Sequence, residues 1–286
     1  MQTHDEVMAL LAKHGFDLPR ATVEALARPA LQLVPSRVEP DSHPIGATML
    51  SCYADVPPDF DWPEFDDEPM MPLAQISLAE VAALDWLGDA LPSTGWLVFF
   101  MPLEDLPYAL DKEDAEKFKV AYFDAPVESL VRRNGIEDAP EIPFCRVDMV
   151  PSLHLPHPSD GVLGEALGLP DDYDEEAWDA AMDEVRGHTP GHWLFGHPHP
   201  IQSHVRAAAM AAAVKLLDRA GVDLQDKAAA REAEKLWQLL LQLDEDEEPD
   251  GPKYVFEDDG RAHFMIHQDD LKRHDFSGVW MHVEFC

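Results

Sequence analysis

The sequence predicts an α+β fold of mixed, mostly antiparallel sheets from two related halves, with N-terminal and central helices. Three observations carry that prediction. Apolar residues fill 46% of the 286 positions, enough for a packed core and too many for a disordered acidic chain. Short runs rich in Val, Phe, Tyr and Ile recur between segments of helical period. A unit of strand, acidic connection, Gly turn and strand occurs twice.

Residues 4–13 read as a short helix stopped by Gly15, and Arg20 to Ala27 as a second closed by Pro29. Residues 1–34 are therefore expected to form a helical appendage. From Pro35 to Pro72 the chain is rich in Pro, Asp and Gly and reads as an irregular, acidic crossing segment. Strands follow at Leu73–Ile76, Trp96–Met101, Lys119–Phe123 and Phe144–Val150. Asp174 to Val185 is a helix with Ala177, Trp178, Ala181, Met182 and Val185 on one face and Gly187 beyond its end. His204 to Ala220 is Ala-rich and helical, stopped by Gly221. Asp226 caps the next helix, which runs to about Leu236. Gln238–Leu243, Lys253–Phe256, Ala262–His267 and Val279–Phe285 then read as strands.

The repeat pairs Leu73-Ala-Gln75-Ile76 and Gly95-Trp-Leu-Val-Phe99-Phe100 with Leu240-Leu-Gln242-Leu243 and Gly260-Arg-Ala-His-Phe264-Met265-Ile266. Gln75 to Gly95 is 20 residues and Gln242 to Gly260 is 18, so the spacings nearly agree. Ile45-Gly46 ahead of the first unit resembles Phe195-Gly196 ahead of the second. Two units are too few for a solenoid, so fused halves sharing one core are expected.

Charge narrows the partners. With 21 Lys+Arg against 56 Asp+Glu, the formal net charge is −35. Without a basic stripe such a chain repels nucleic acid and anionic membranes. Basic proteins, cations and neutral small molecules remain. Cys52, Cys145 and Cys286 are odd in number and form no CxxC, which suits a reducing compartment. The first residues have no basic leader region, and the longest purely apolar run, Ala207 to Val214, is far short of a membrane span. The expected location is cytoplasmic.

Read together, several blocks resemble the YwqG-like family, bacterial domains whose activity is not established. They are Trp62-Pro63 leading into Pro72-Leu-Ala-Gln75-Ile-Ser-Leu78, Leu91-Pro92, Gly95 to Phe100, His192-Trp-Leu-Phe-Gly196-His-Pro-His-Pro-Ile-Gln202, Trp237 to Asp246, and Asp259-Gly260 with Phe264-Met-Ile266. Asp270-Leu271 and Phe276 precede a final strand in the family manner. The resemblance implies an α+β fold with two related halves and carries over no catalytic residue. Residues 35–286 are then a single domain of this kind, its halves at about 35–150 and 188–286, with a helical insertion between. Some family members lie beside secreted-toxin operons, so neutralising a basic toxin-like partner is an expectation from the resemblance.

Candidate site residues follow from chemistry. Seven of fourteen histidines fall between His154 and His204. His197-Pro-His199 puts two imidazoles on one side of an extended segment, where they can chelate. Beside a turn, imidazoles commonly cap backbone groups instead. His188 and His192, four residues apart, join such a site only if their segment is helical. The run Asp244-Glu-Asp246-Glu-Glu248-Pro-Asp250-Gly251 has calcium-loop spacing at first, but Pro249 stands at its sixth position and Val255 at its twelfth, so an EF-hand is rejected. Asp244 and Asp246, with Asp258 and Asp259, remain as a looser divalent-cation set. Gln75 and Gln242 suit either backbone bridging or ligand contact, and Trp62 and Trp237 either core packing or ligand stacking. No GxSxG, Walker or Rossmann pattern is present, and no residue is assigned a catalytic role. The expectation is a non-enzymatic binding protein with a basic protein as partner and no cofactor. The alternative is a metal- or small-ligand-binding enzyme using residues 188–204.

Overall fold

The computed structural model describes all residues except 1, 104–105, 107–112, 135, 137–141, 187–190, 203, 217–221, 247, 255, 257–259 and 286. His188, Asp258, Asp259 and Cys286 therefore lie outside the described residues. Helix α1 (His4–Lys13) opens with a capping box: Thr3 accepts from the Glu6 amide while the Glu6 side chain bonds back to Thr3. Helix α2 (Arg20–Leu26) leads straight into β1 (Arg28–Arg37). This ten-residue strand crosses residue 34, so residues 28–34 belong to the sheet and not to a helical appendage.

Within residues 35–72, expected to be irregular, lie β2 (Met49–Leu50), β3 (Ala54–Val56), and the hairpin β4 (Glu64–Phe65) and β5 (Glu68–Pro69). Next come β6 (Met71–Ser77), α3 (Leu78–Ala83), β7 (Trp96–Met101), β8 (Lys119–Phe123), β9 (Val131–Arg133) and β10 (Cys145–His154). The middle of the chain holds α4 (Gly161–Glu165), α5 (Glu175–Arg186), β11 (Trp193–Phe195), α6 (Val205–Leu216) and α7 (Lys227–Glu234). The chain closes with β12 (Trp237–Asp244), β13 (Arg261–His267), α8 (Gln268–Lys272) and β14 (Trp280–Glu284). No strand is assigned to the described part of Lys253–Phe256.

Ten strands form one antiparallel sheet in the order β14-β13-β12-β11-β1-β10-β2-β6-β7-β8. At its centre β1 and β10 pair along their full ten-residue lengths. The sheet curls on itself: Phe99 on β7 meets Phe264 on β13 edge to face at 5.0 Å, although the strands stand near opposite ends of the order. The enclosed core includes Leu33, Leu73, Leu97, Leu241 and Trp280. A second core lies outside the sheet, where α1, α2 and α5 bury Val7, Leu11, Val23, Trp178 and Met182 against Leu153 and Leu155. Phe16 meets Trp178 edge-on at 5.1 Å there. No helix among the described residues is long and apolar enough to cross a membrane.

Pro29 and Pro35 lie inside β1 because of its neighbour's length. The Leu33 amide donates to the His192 carbonyl, so the odd-numbered amides of β1 point toward β11. Strand β11 pairs only with Ala30–Gln32, and both prolines fall beyond its ends, where no ladder bond is lost.

Candidate functional site

The two glutamines singled out by the repeat act as backbone bridges. Gln75 Oε1 accepts from the Asp55 amide at 2.7 Å, and its Nε2 donates to the Ala47 carbonyl at 3.0 Å. Gln242 Oε1 accepts from the His199 amide at 2.9 Å, and its Nε2 donates to the Gly191 carbonyl at 3.1 Å. Each amide thus clamps a segment spanning the same number of residues. Both glutamines are fully buried and satisfied from within the fold. Trp62 is half-buried, donates to the Met70 carbonyl at 2.9 Å, and lies under Arg133. Trp237 is a buried core side chain beside His267.

The four residues expected as metal ligands do not converge. His197 has both ring nitrogens engaged, Nε2 with the Leu26 carbonyl at 2.7 Å and Nδ1 with Arg206 at 2.8 Å. Asp244 forms a two-pronged pair with Arg261 and accepts from the Gly191 amide. Asp246 accepts from the Glu248 amide and faces His192 Nε2 at 3.2 Å. The His199 ring is turned to other ligand types, His157 and Asp179. Phe195 and Gly196, both left-handed (φ 61° and 79°), make the turn that separates His197 and His199 from β11. A Cβ at Gly196 would sit 2.5 Å from His154 Nδ1, so that close approach needs glycine. Ile45-Gly46 precedes β2 whereas Phe195-Gly196 follows β11, so these pairs do not hold matching places.

His199 instead joins residues not expected from the sequence. His157, Asp179 and His199 offer one ligand atom each within 4.8 Å of one another. Asp179 and Asp183 lie one turn apart on α5, and Arg186 follows at its end. Arg186 is 3% exposed; its Nη2 donates to the Leu155 carbonyl, and its guanidinium lies 5.7 Å from the Trp193 ring. Arg186 Nε and Nη1 have no hydrogen-bond partner among the described residues, nor does the buried Trp193 indole N–H. Burial pushes the guanidinium down to about 10, which leaves it charged at neutral pH. One sequence signal finds this residue: Arg186 is four residues after Met182 and eight after Trp178, on the apolar stripe of its helix.

Arg186 also lines a cleft of about 640 Å³ between α1, α5 and the outer face of β1 and β10. Gln2, Gln32 and Ser152 supply polar walls, and Leu10, Val150 and Val185 apolar ones. Two carboxylates at the cleft are already partnered. Glu6 is held in the Thr3 capping box, and Glu184 accepts from Lys13 at 2.6 Å and faces His14 at 3.0 Å.

Burial holds His154, His197 and His199 well below the ordinary imidazole range and lowers His263 to about 4. These rings stay neutral in the native chain while the unfolded chain protonates them near pH 6.5, so stability falls as pH drops. Each contributes about 1.4 kcal/mol per pH unit within its window, which for His263 runs from 6.5 to about 4. Asp160 and Asp183, both raised by burial, work in the opposite direction but are two groups against several. Thermal melts are expected to show Tm dropping steadily from pH 7 to pH 5; a flat profile would contradict neutral buried histidines.

The family described as a domain of unknown function, DUF1963, matches residues 49–285. No curated protein matches the chain. Helices α1 and α2 and strand β1 precede the matched span, so one wall of the cleft is formed by residues outside it.

Proposed function

This chain belongs to the DUF1963 family, and from that premise we propose that it is a binding protein whose ligand is a small oxyanion, a carboxylate or phosphate, held at Arg186. The carrying observation is a buried guanidinium with two unpartnered N–H groups on a residue that also lines a cleft. An unpaired buried charge costs several kcal/mol, and a planar guanidinium is suited to carboxylate and phosphate oxygens. The cleft volume falls in the range of small-molecule sites. Asp179 and Asp183 act on Arg186 electrostatically without forming an ion pair with it among the described residues.

The test is thermal unfolding of the intact chain across acetate, citrate and phosphate series at fixed ionic strength, with Arg186→Met beside the parent. A saturable rise in Tm with at least one anion is expected, absent in the variant. Without ligand the variant is expected to be no less stable than the parent, since it loses an unpaired buried charge. A variant that is destabilised yet retains the anion response would overturn the reading.

A basic protein partner, neutralised by this chain as the YwqG-like resemblance implies, is a second reading. It is favoured by the exposed β4–β5 hairpin. Asp59, Asp61, Glu64, Asp66, Asp67 and Glu68 are all exposed there, and Asp66 and Asp67 hold left-handed backbone at its tip (φ 51° and 64°). Such a surface steers a cationic partner. Native mass spectrometry of chain gently isolated from its host is expected to retain a stoichiometric basic protein, lost when Asp66 and Asp67 become Asn. A bare chain in both cases would remove this reading.

We further infer that residues 35–286, with the part of β1 that precedes them, are one domain of two related halves exchanged at the central strands. The sheet order supports it, with β1 and β10 at the middle and β2-β6-β7-β8 on one flank facing β11-β12-β13-β14 on the other. Both flanks carry a register irregularity two residues before the bridging glutamine, between Pro72 and Ala74 and between Leu239 and Leu241. The Ser77 amide donates to Thr48 Oγ1 and the Asp244 amide to His192 Nδ1, each from two residues past the glutamine.

A further inference from the structure

We propose that His157, Asp179 and His199 form a zinc-class divalent metal site, independent of the oxyanion reading. His157 Nε2 lies 3.4 Å from Asp179 Oδ1. Ligand atoms about 2.1 Å from a tetrahedral zinc ion stand about 3.4 Å apart, so this pair already has the edge length of such a site. The His199 ligand atom completes a triangle in which no separation exceeds 4.8 Å, and side-chain adjustments of up to about 1.4 Å bring it to the same edge length.

Each ligand is prepared by its surroundings. The Ser159 amide donates to His157 Nδ1 at 3.1 Å, and Ser159 Oγ lies 2.6 Å from the same nitrogen. With a metal on Nε2 the ring proton sits on Nδ1, so the Ser159 amide bond to Nδ1 is given up and Nδ1–H donates to Ser159 Oγ in its place. Asp179 Oδ1 is buried and has no hydrogen-bond partner among the described residues, a waiting acceptor that a cation would satisfy. The His199 backbone is fixed on both sides, its amide by Gln242 and its carbonyl by Arg261 at 2.6 Å. The His157 and His199 rings already face one another with centroids 5.7 Å apart.

The donor set is two imidazoles and one carboxylate, which suits zinc or another borderline divalent ion and not calcium. Three protein ligands leave a fourth position for water or a ligand oxygen. Asp179 is 48% exposed at its side chain, so that position opens toward solvent. Arg186 and Arg261 act against a cation at His199, while Asp183, one turn from Asp179, acts for it.

The experiment titrates the intact, chelator-treated chain with zinc in competition with a chromophoric chelator, and with cobalt(II) followed by its visible absorption. One equivalent and the bands of four-coordinate cobalt are expected. His157→Ala, Asp179→Asn and His199→Ala are each expected to weaken zinc at least tenfold while retaining the native circular dichroism. His4→Ala, a half-buried histidine on α1, is expected to change nothing. Asp179→Asn changes only a rim carboxylate, which keeps the test valid if a histidine variant misfolds. Equal zinc affinity in the parent and Asp179→Asn, or octahedral cobalt spectra, would overturn the proposal. Arg186→Met separates the two readings: it removes the anion response and leaves zinc binding intact or tighter.

Discussion

Replacing Arg206 by methionine is expected to cost about 3–5 kcal/mol, the range for stranding a buried charge partner. Arg206 sits on α6 with 3% of its surface exposed. Its Nε donates to Asp160 Oδ2 at 3.0 Å, its Nη2 lies 2.8 Å from His197 Nδ1, and its Nη1 bonds the Trp237 carbonyl. One side chain thereby ties α6 to the segment before α4, to the turn after β11 and to the start of β12. His197 extends the chain of bonds to the Leu26 carbonyl at the end of α2. Burial raises Asp160, and Arg206 opposes that rise, so without Arg206 the carboxyl must protonate or remain charged and unpaired. Urea unfolding of Arg206→Met measures the cost. The double variant Arg206→Met with Asp160→Leu is expected to recover part of it, because no buried charge is left alone. A single-variant cost under about 1 kcal/mol would show that α6 does not depend on the pair.

The second large effect concerns the two glutamines. Gln75→Leu strands the Asp55 amide and the Ala47 carbonyl, and Gln242→Leu strands the His199 amide and the Gly191 carbonyl. Each buried backbone group left unpaired costs about 1–3 kcal/mol, so either variant, stranding two, is expected to lose about 2–6 kcal/mol. Related halves predict similar losses at both positions, read by the same urea titration. A severe loss at one and none at the other would argue that the two bridges are unrelated in role. Glu at either position cannot donate while ionised, so those variants are expected to be weakest at neutral pH and to recover on mild acidification.

What the sequence made legible follows from the range of each signal. Helix α1 and strands β6, β7, β8 and β13 carry local periodicity, and the structure has them within a few residues of expectation. Strand β1 was hidden because Pro29 and Pro35 read as breakers. Their tolerance depends on the three-residue length of β11, a fact about a distant neighbour. Strand β10 runs on past Val150 to His154 because β1 continues beside it. Gln75 and Gln242 were legible through their repeated setting. His157 and Asp179 were not, since they stand 42 and 20 residues from His199 and only the folding of α5 over the end of β10 brings them together. The pairing of Asp244 with Arg261 was equally hidden, and it leaves that carboxylate in a salt bridge.

The central claim is that Arg186 holds an oxyanion. Its most direct test is a crystal structure of the intact chain grown with selenate, a tetrahedral oxyanion with an anomalous signal, in the absence of sulfate and phosphate. The account predicts an anomalous peak in the cleft within hydrogen-bond reach of Arg186 Nε or Nη1, and none there in Arg186→Met. Ordered water alone beside the guanidinium, or Arg186 turned into an ion pair with Asp179 or Asp183, would contradict it.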